Sequence, residues 1–114
     1  MNAERMQPLQ QLPDAAVRRL RGVLTDIDDT LTRGGAIEPA ALQALQHMAQ
    51  AQLPVIAITG RPAGWSEPFA MDWPVAAIVA ENGAVMLRRV AAQLQCDFTQ
   101  DEATRAANLL RLQQ

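Results

Sequence analysis

The chain has 114 residues, 49% apolar and 19% charged, with a formal net charge of −2, which bounds it to one small domain with material for a core. The basic residues are interspersed with acids, and Tyr is absent beside two Trp and two Phe. Neither a basic stripe nor an aromatic platform is present, so no nucleic acid is expected as a partner. A single cysteine, Cys96, leaves no internal disulfide or Cys-based zinc site. It is expected to be a small buried or half-buried residue. No apolar run approaches the ~18 residues of a membrane span. The N-terminal stretch, with Glu4, Arg5 and two prolines, lacks the apolar core of a secretory signal. The expectation is a cytoplasmic protein with no membrane association.

In chain order, residues 1–20 read as a loose leader carrying a short helix between Pro13 and Leu20, with Pro13 at a first-turn position. Gly22 opens a strand over Val23 to Asp26. Pro39 suits the first position of a helix running to about Gln52. Its apolar stripe is Leu42, Leu45, Ala49 and Leu53, and His47 projects from the opposite, solvated face. Pro54 ends the helix. Val55-Ile56-Ala57-Ile58-Thr59 then reads as a strand buried on both faces. Strand, helix and strand make a βαβ unit with an expected right-handed crossover.

Residues 62–73 are expected to form an irregular helix interrupted by Pro68. Trp65, Phe69 and Trp73 share one face of it and are assigned to core packing. Ala76 to Ala80 gives a third apolar strand, and Asn82-Gly83 a turn. Ala84 to Leu87 reads as a returning hairpin strand, with another near Gln93 to Cys96. Thr99-Gln100-Asp101-Glu102 matches a capping box. The helix after it has Ala103, Ala106, Leu109, Leu110 and Leu112 on its apolar side.

Three strand ends carry chemistry. The first gives Asp26, Asp28 and Thr30, the second Thr59-Gly60-Arg61, the third Glu81-Asn82-Gly83. In a parallel sheet these ends share one edge, where ligands bind. Magnesium takes oxygen ligands and pairs one or two carboxylates with waters and phosphate oxygens. It also offsets repulsion between a carboxylate and a phosphate, so that a carboxylate can act as nucleophile. A second carboxyl can protonate the leaving alcohol and later activate water. Thr59 offers a hydroxyl, and Gly60 a backbone N–H that a phosphate can approach closely. Each motif alone also reads as a cap or turn. Their order, each after an apolar strand, is what makes them specific.

These residues resemble the signatures of the haloacid dehalogenase (HAD) superfamily of phosphatases. Asp26-Ile27-Asp28-Asp29-Thr30-Leu31-Thr32 is similar to its first signature. Thr59-Gly60-Arg61-Pro62 is similar to the second, in the form of members with a large cap after the third strand. Glu81-Asn82-Gly83-Ala84 is similar to the turn before that cap. This is the capped, Cof-type (subclass IIB) group that includes trehalose- and sucrose-phosphate phosphatases. The resemblance spans about residues 20–90. It implies an α/β fold: an incomplete Rossmann-like three-layer sandwich with three parallel strands, then a hairpin and the first helix of a truncated cap. Residues 21–90 would be a partial hydrolase core and 91–114 the start of that cap.

The resemblance implies roles as well. Asp26 would be nucleophile and magnesium ligand, and Asp28 the general acid/base, its backbone carbonyl also reaching the metal. Thr59 and Gly60 would bind the phosphoryl group, and Arg61 and Asn82 would contact substrate. The substrate would be a small phosphorylated metabolite such as a sugar phosphate, and Mg2+ the cofactor. Such enzymes also use a later lysine and a later acidic signature. All ten basic residues here are arginines, and no acid follows Glu102. These 114 residues are therefore expected to be inactive alone, and to self-associate through the exposed edge of an incomplete sheet. The alternatives are a non-catalytic homologue that binds metal, phosphate or a partner protein, a phosphoacceptor receiver domain, and a D-x-D nucleotide-sugar transferase. The receiver domain would need an acceptor Asp after a later strand and a distal Lys. The transferase leaves Thr59-Gly60-Arg61 unexplained.

Overall fold

The computed structural model describes residues 5–113. The central feature is a five-stranded sheet in the order β1-β4-β5-β6-β7. Strands β1 (Val23–Asp26), β4 (Val55–Ile58) and β5 (Ala77–Ala80) are parallel neighbours. Strands β6 (Val85–Val90) and β7 (Gln93–Phe98) continue the sheet antiparallel. The expected α/β fold, three parallel strands and then a hairpin, is thus present. A separate two-stranded ribbon, β2 (Thr32–Arg33) with β3 (Ala36–Ile37), follows β1. It turns at Gly34 and Gly35, both at positive φ, the conformation that a two-residue hairpin turn demands.

Helices α2 (Pro39–Gln50) and α3 (Ala63–Asp72) make the crossovers and cover one sheet face. That face presents Val55, Ala57, Ile78, Ala80, Val85 and Leu87, all buried. Leu45, Ala70 and Trp73 join them from the helices. Ile78 and Leu87 are opposite partners across β5 and β6, each contributing roughly 1.5–3 kcal/mol by burial. The opposite face is less covered: Leu24 is 69% exposed and Ile58 38%. β1 lies at the end of the strand order.

The short helix expected between Pro13 and Leu20 is itself present, as the single turn α1 (Asp14–Val17). Several local expectations are corrected. The core stripe of α2 is Ala41, Leu45 and Met48, while Ala49 is exposed. α3 runs through Pro68 without a break. Phe69 packs edge-on to Trp65 at 4.9 Å and stacks on Trp73 at 4.4 Å, and this packing outweighs the one lost hydrogen bond. Cys96 is exposed, since β7 is the last strand of the sheet. In α4 (Glu102–Leu112) the cap is Asp101, whose carboxylate accepts the Thr104 N–H at 2.7 Å. Thr99 instead donates to the Ala84 carbonyl, so the Thr99–Glu102 capping box does not form.

Candidate active site

The register places three strand ends level. Asp26 stands opposite Ile58, and Ile58 opposite Val79. Each chain segment leaves the sheet there with its polar residues. After β1, the Thr30 hydroxyl donates to the Asp26 carboxylate at 3.1 Å. The Leu31 and Thr32 N–H groups both return to the Ile27 carbonyl. This tight turn, with Asp29 at φ 59°, keeps Asp26 and Asp28 on the sheet edge. Ile27 between them is fully buried. The alternation of a strand (out, in, out) therefore continues through the acid pair.

After β4, Thr59 is buried, and its hydroxyl accepts the Arg61 N–H at 3.1 Å. Part of its hydrogen-bonding capacity is thus spent shaping its own loop. The Thr59 N–H donates to Val79 of the neighbouring strand at 2.9 Å. Gly60 is needed for close approach: a Cβ there would lie 2.9 Å from Asn82 Oδ1. Asn82 therefore sits against the Gly60 backbone, a packing role that its turn motif did not reveal.

The Arg61 guanidinium reaches back to β1. Its Nε and Nη2 donate to the two oxygens of Asp28, each at 3.4 Å. The guanidinium also lies over Trp65, 4.8 Å from the ring centroid. Sequence reasoning assigned Trp65 to the core, and only its helical spacing from Phe69 and Trp73 was visible there. Its contact with Arg61 is new. Asp28 and Arg61 are partly exposed, so their attraction is screened by water.

Oxygen donors of the kind magnesium prefers are present in Asp26 and Asp28. Among the described residues, no group of three or more His, Cys, Asp or Glu could hold a metal. The residues thus fit a hard cation in kind and would supply part of its shell. No helix among the described residues is long and apolar enough to cross a membrane.

Fold and site together define an α/β domain with its candidate residues at the carboxyl end of a parallel sheet, the edge at which open α/β sheets bind ligands. Residues 23–114 match the family model of haloacid dehalogenase-like hydrolases, and the chain belongs to that family. Its Cof-type motifs fit this result. A phosphatase of the haloalkanoate (HAD) enzyme superfamily from Bacteroides thetaiotaomicron is similar in structure. The TM-score is 0.57 at 22% identity, over 82% of this chain and 34% of that one. A haloacid dehalogenase-like hydrolase from B. subtilis aligns with a TM-score of 0.54 at 21% identity, over 81% of this chain and 32% of that one. The chain therefore spans about a third of the length of these two structures. No curated protein gives a significant match.

Proposed function

We propose that this chain carries the nucleophile half of a magnesium-dependent phosphate monoesterase site, acting on a small phosphorylated metabolite such as a sugar phosphate. The observation that carries the proposal is the convergence of β1 and β4, whose strand ends bring Asp28 and Arg61 into contact. Asp26 attacks phosphorus through a carboxylate oxygen, and the bond to the leaving alcohol breaks. Asp28 gives that alcohol its proton. Water then attacks the aspartyl phosphate, Asp28 takes the proton back, and Asp26 returns as a carboxylate. Thr59 and the Gly60 N–H hold the phosphoryl oxygens, with Arg61 and Asn82 beside them. Magnesium, held by the Asp26 carboxylate and the Asp28 backbone carbonyl, would supply charge neutralisation during the transfer.

These 114 residues contain no lysine, and the cation shell that they offer is partial. We therefore assign the isolated chain binding without turnover. Titration with magnesium and inorganic phosphate, followed by amide signals of Gly60 and Arg61, tests binding. A generic phosphate monoester tests turnover. Saturable, magnesium-dependent shifts that Asp26→Asn removes are the expected result. Absence of any shift overturns the site, and turnover abolished by Asp26→Asn overturns the inactivity.

The alternative is a non-catalytic homologue that binds metal, phosphate or a partner protein, and the absence of lysine from these residues favours it. A third element of the proposal is self-association at β1, supported by the end position of that strand and the exposure of Leu24. Sedimentation should show a concentration-dependent dimer that Leu24→Lys dissociates. A monomer at every concentration rules this out.

A further inference from the structure

The chemistry above leaves Glu81 without a role, yet this residue bonds both to the Thr59–Arg61 loop and to the start of α3. Its N–H donates to the Arg61 carbonyl at 3.0 Å. Its carboxylate accepts the Ala63 N–H at 3.0 Å. The next residue, Asn82, donates its N–H to the Thr59 carbonyl at 3.3 Å. Glu81 and Asn82 stand at φ 52° and 55°. Two successive left-handed residues other than glycine persist only where their surroundings hold them. Here the holding groups are the backbone of the Thr59–Arg61 loop itself.

We propose that Glu81 is a positioning residue that sets the phosphate-binding loop from the neighbouring strand. The physical reason begins with the trans peptide. In a planar trans unit the carbonyl of one residue and the N–H of the next point in opposite directions. By fixing the Thr59 carbonyl on Asn82, the turn aims the Gly60 N–H away from the β5 turn. By fixing the Arg61 carbonyl on its own N–H, Glu81 sets where the Arg61 side chain departs toward Asp28. The carboxylate completes the device. α3 has no side-chain cap from Pro62, its own N-cap residue. Glu81 takes the first N–H of that helix, Ala63, from across the strand boundary. A negative charge there also suits the positive end of the helix. One side chain thus ties the end of β5 to the start of α3, with the Thr59–Arg61 loop held between them.

The inference rests on the phosphate-site reading above, and its test separates the two. Amide exchange and titration with inorganic phosphate plus magnesium are run on the whole chain as wild type, Glu81→Ala and Glu81→Gln. In Glu81→Ala, Ala63 amide protection should fall about fivefold, the usual worth of one helix cap, and phosphate affinity by a similar factor. Protection at Leu87 should hold. Glu81→Gln, whose amide oxygen still accepts from Ala63, should keep most of both. If Glu81→Ala does not fold, Glu81→Asp replaces it, since its shorter side chain falls short of Ala63. Unchanged protection at Ala63, or an equal fall at Ala63 and Leu87, overturns positioning by Glu81. If the wild type binds no phosphate, the site reading fails, and the Ala63 comparison still decides the role of Glu81.

Discussion

Arg61 faces Asp28 with two nitrogen–oxygen distances of 3.4 Å while lying over the Trp65 ring. These distances exceed the ~2.7–2.9 Å of a tight charge-assisted pair, so the fork is loose, as the proposed phosphate contact of Arg61 requires. The pair is also partly exposed. Arg61→Ala should therefore cost less than about 1 kcal/mol of stability while weakening phosphate binding. Urea unfolding and the phosphate titration read the two effects. A stability loss well beyond that figure would mark Arg61 as structural.

The Gly60–Asn82 contact makes a second prediction. A methyl at position 60 would meet Asn82 Oδ1 at 2.9 Å, and crowding of this kind costs about 1–3 kcal/mol. Asn82→Gly removes the obstacle and keeps the left-handed turn. Gly60→Ala should thus be markedly less damaging in the Asn82→Gly background, with a coupling above about 0.5 kcal/mol. Additive losses in the double-mutant cycle would show that the two residues do not meet in solution.

The β6–β7 turn is built from Ala91 and Ala92 at φ 51° and 64°. Each alanine there carries roughly 1–2 kcal/mol of left-handed strain. Ala91→Asn with Ala92→Gly supplies the residues such a turn prefers. The double variant should gain about 1 kcal/mol, part of the relief being offset by the freer unfolded chain. A higher denaturation midpoint at unchanged slope is the sign to look for.

Asp101 governs the pH response of α4. The Thr104 backbone N–H, and then its side chain, stabilise the carboxylate and hold its pKa below the ordinary 3.8. The folded value is the lower one, so this stabilisation is complete above the unfolded value. It is lost as pH falls through the folded value. Acid titration of the wild type should show α4 fraying in that range. Asp101→Asn, which caps without a charge, should lack that step. An identical acid response in both would remove Asp101 as the cause.

Much of the framework was legible because apolar runs end in distinctive residues. β1 stops at Asp26, and α2 starts at Pro39, as read from the chain. The Gly34-Gly35 pair carried a hairpin signal, but the flanking strands are two residues each and too short for any period to show. Ala91-Ala92 offers no turn signal at all, since alanine reaches positive φ only under tertiary compulsion. Thr99 and Asp101 are both competent caps, and the choice between them was made by the Thr99 bond to Ala84. At the candidate site, the acids and the Thr59-Gly60-Arg61 segment were visible as types. The Arg61–Asp28 and Gly60–Asn82 contacts were not, because they depend on side-chain direction across strands.

The separation of Asp28 and Arg61 along the chain, 33 residues, has a kinetic consequence. The β6–β7 hairpin closes around two residues, and such hairpins form in about 1–10 μs. Pairing β1 with β4 must first close a loop that contains the whole of α2, at a larger entropic cost. Pulsed amide labelling during refolding should therefore protect Leu87 before Thr25. The site thus takes shape last, when the slowest pairing of the sheet is complete. If the proposed site holds, phosphate binding would report the final folding step, and a chain caught earlier would not bind it however much of its hairpin had formed.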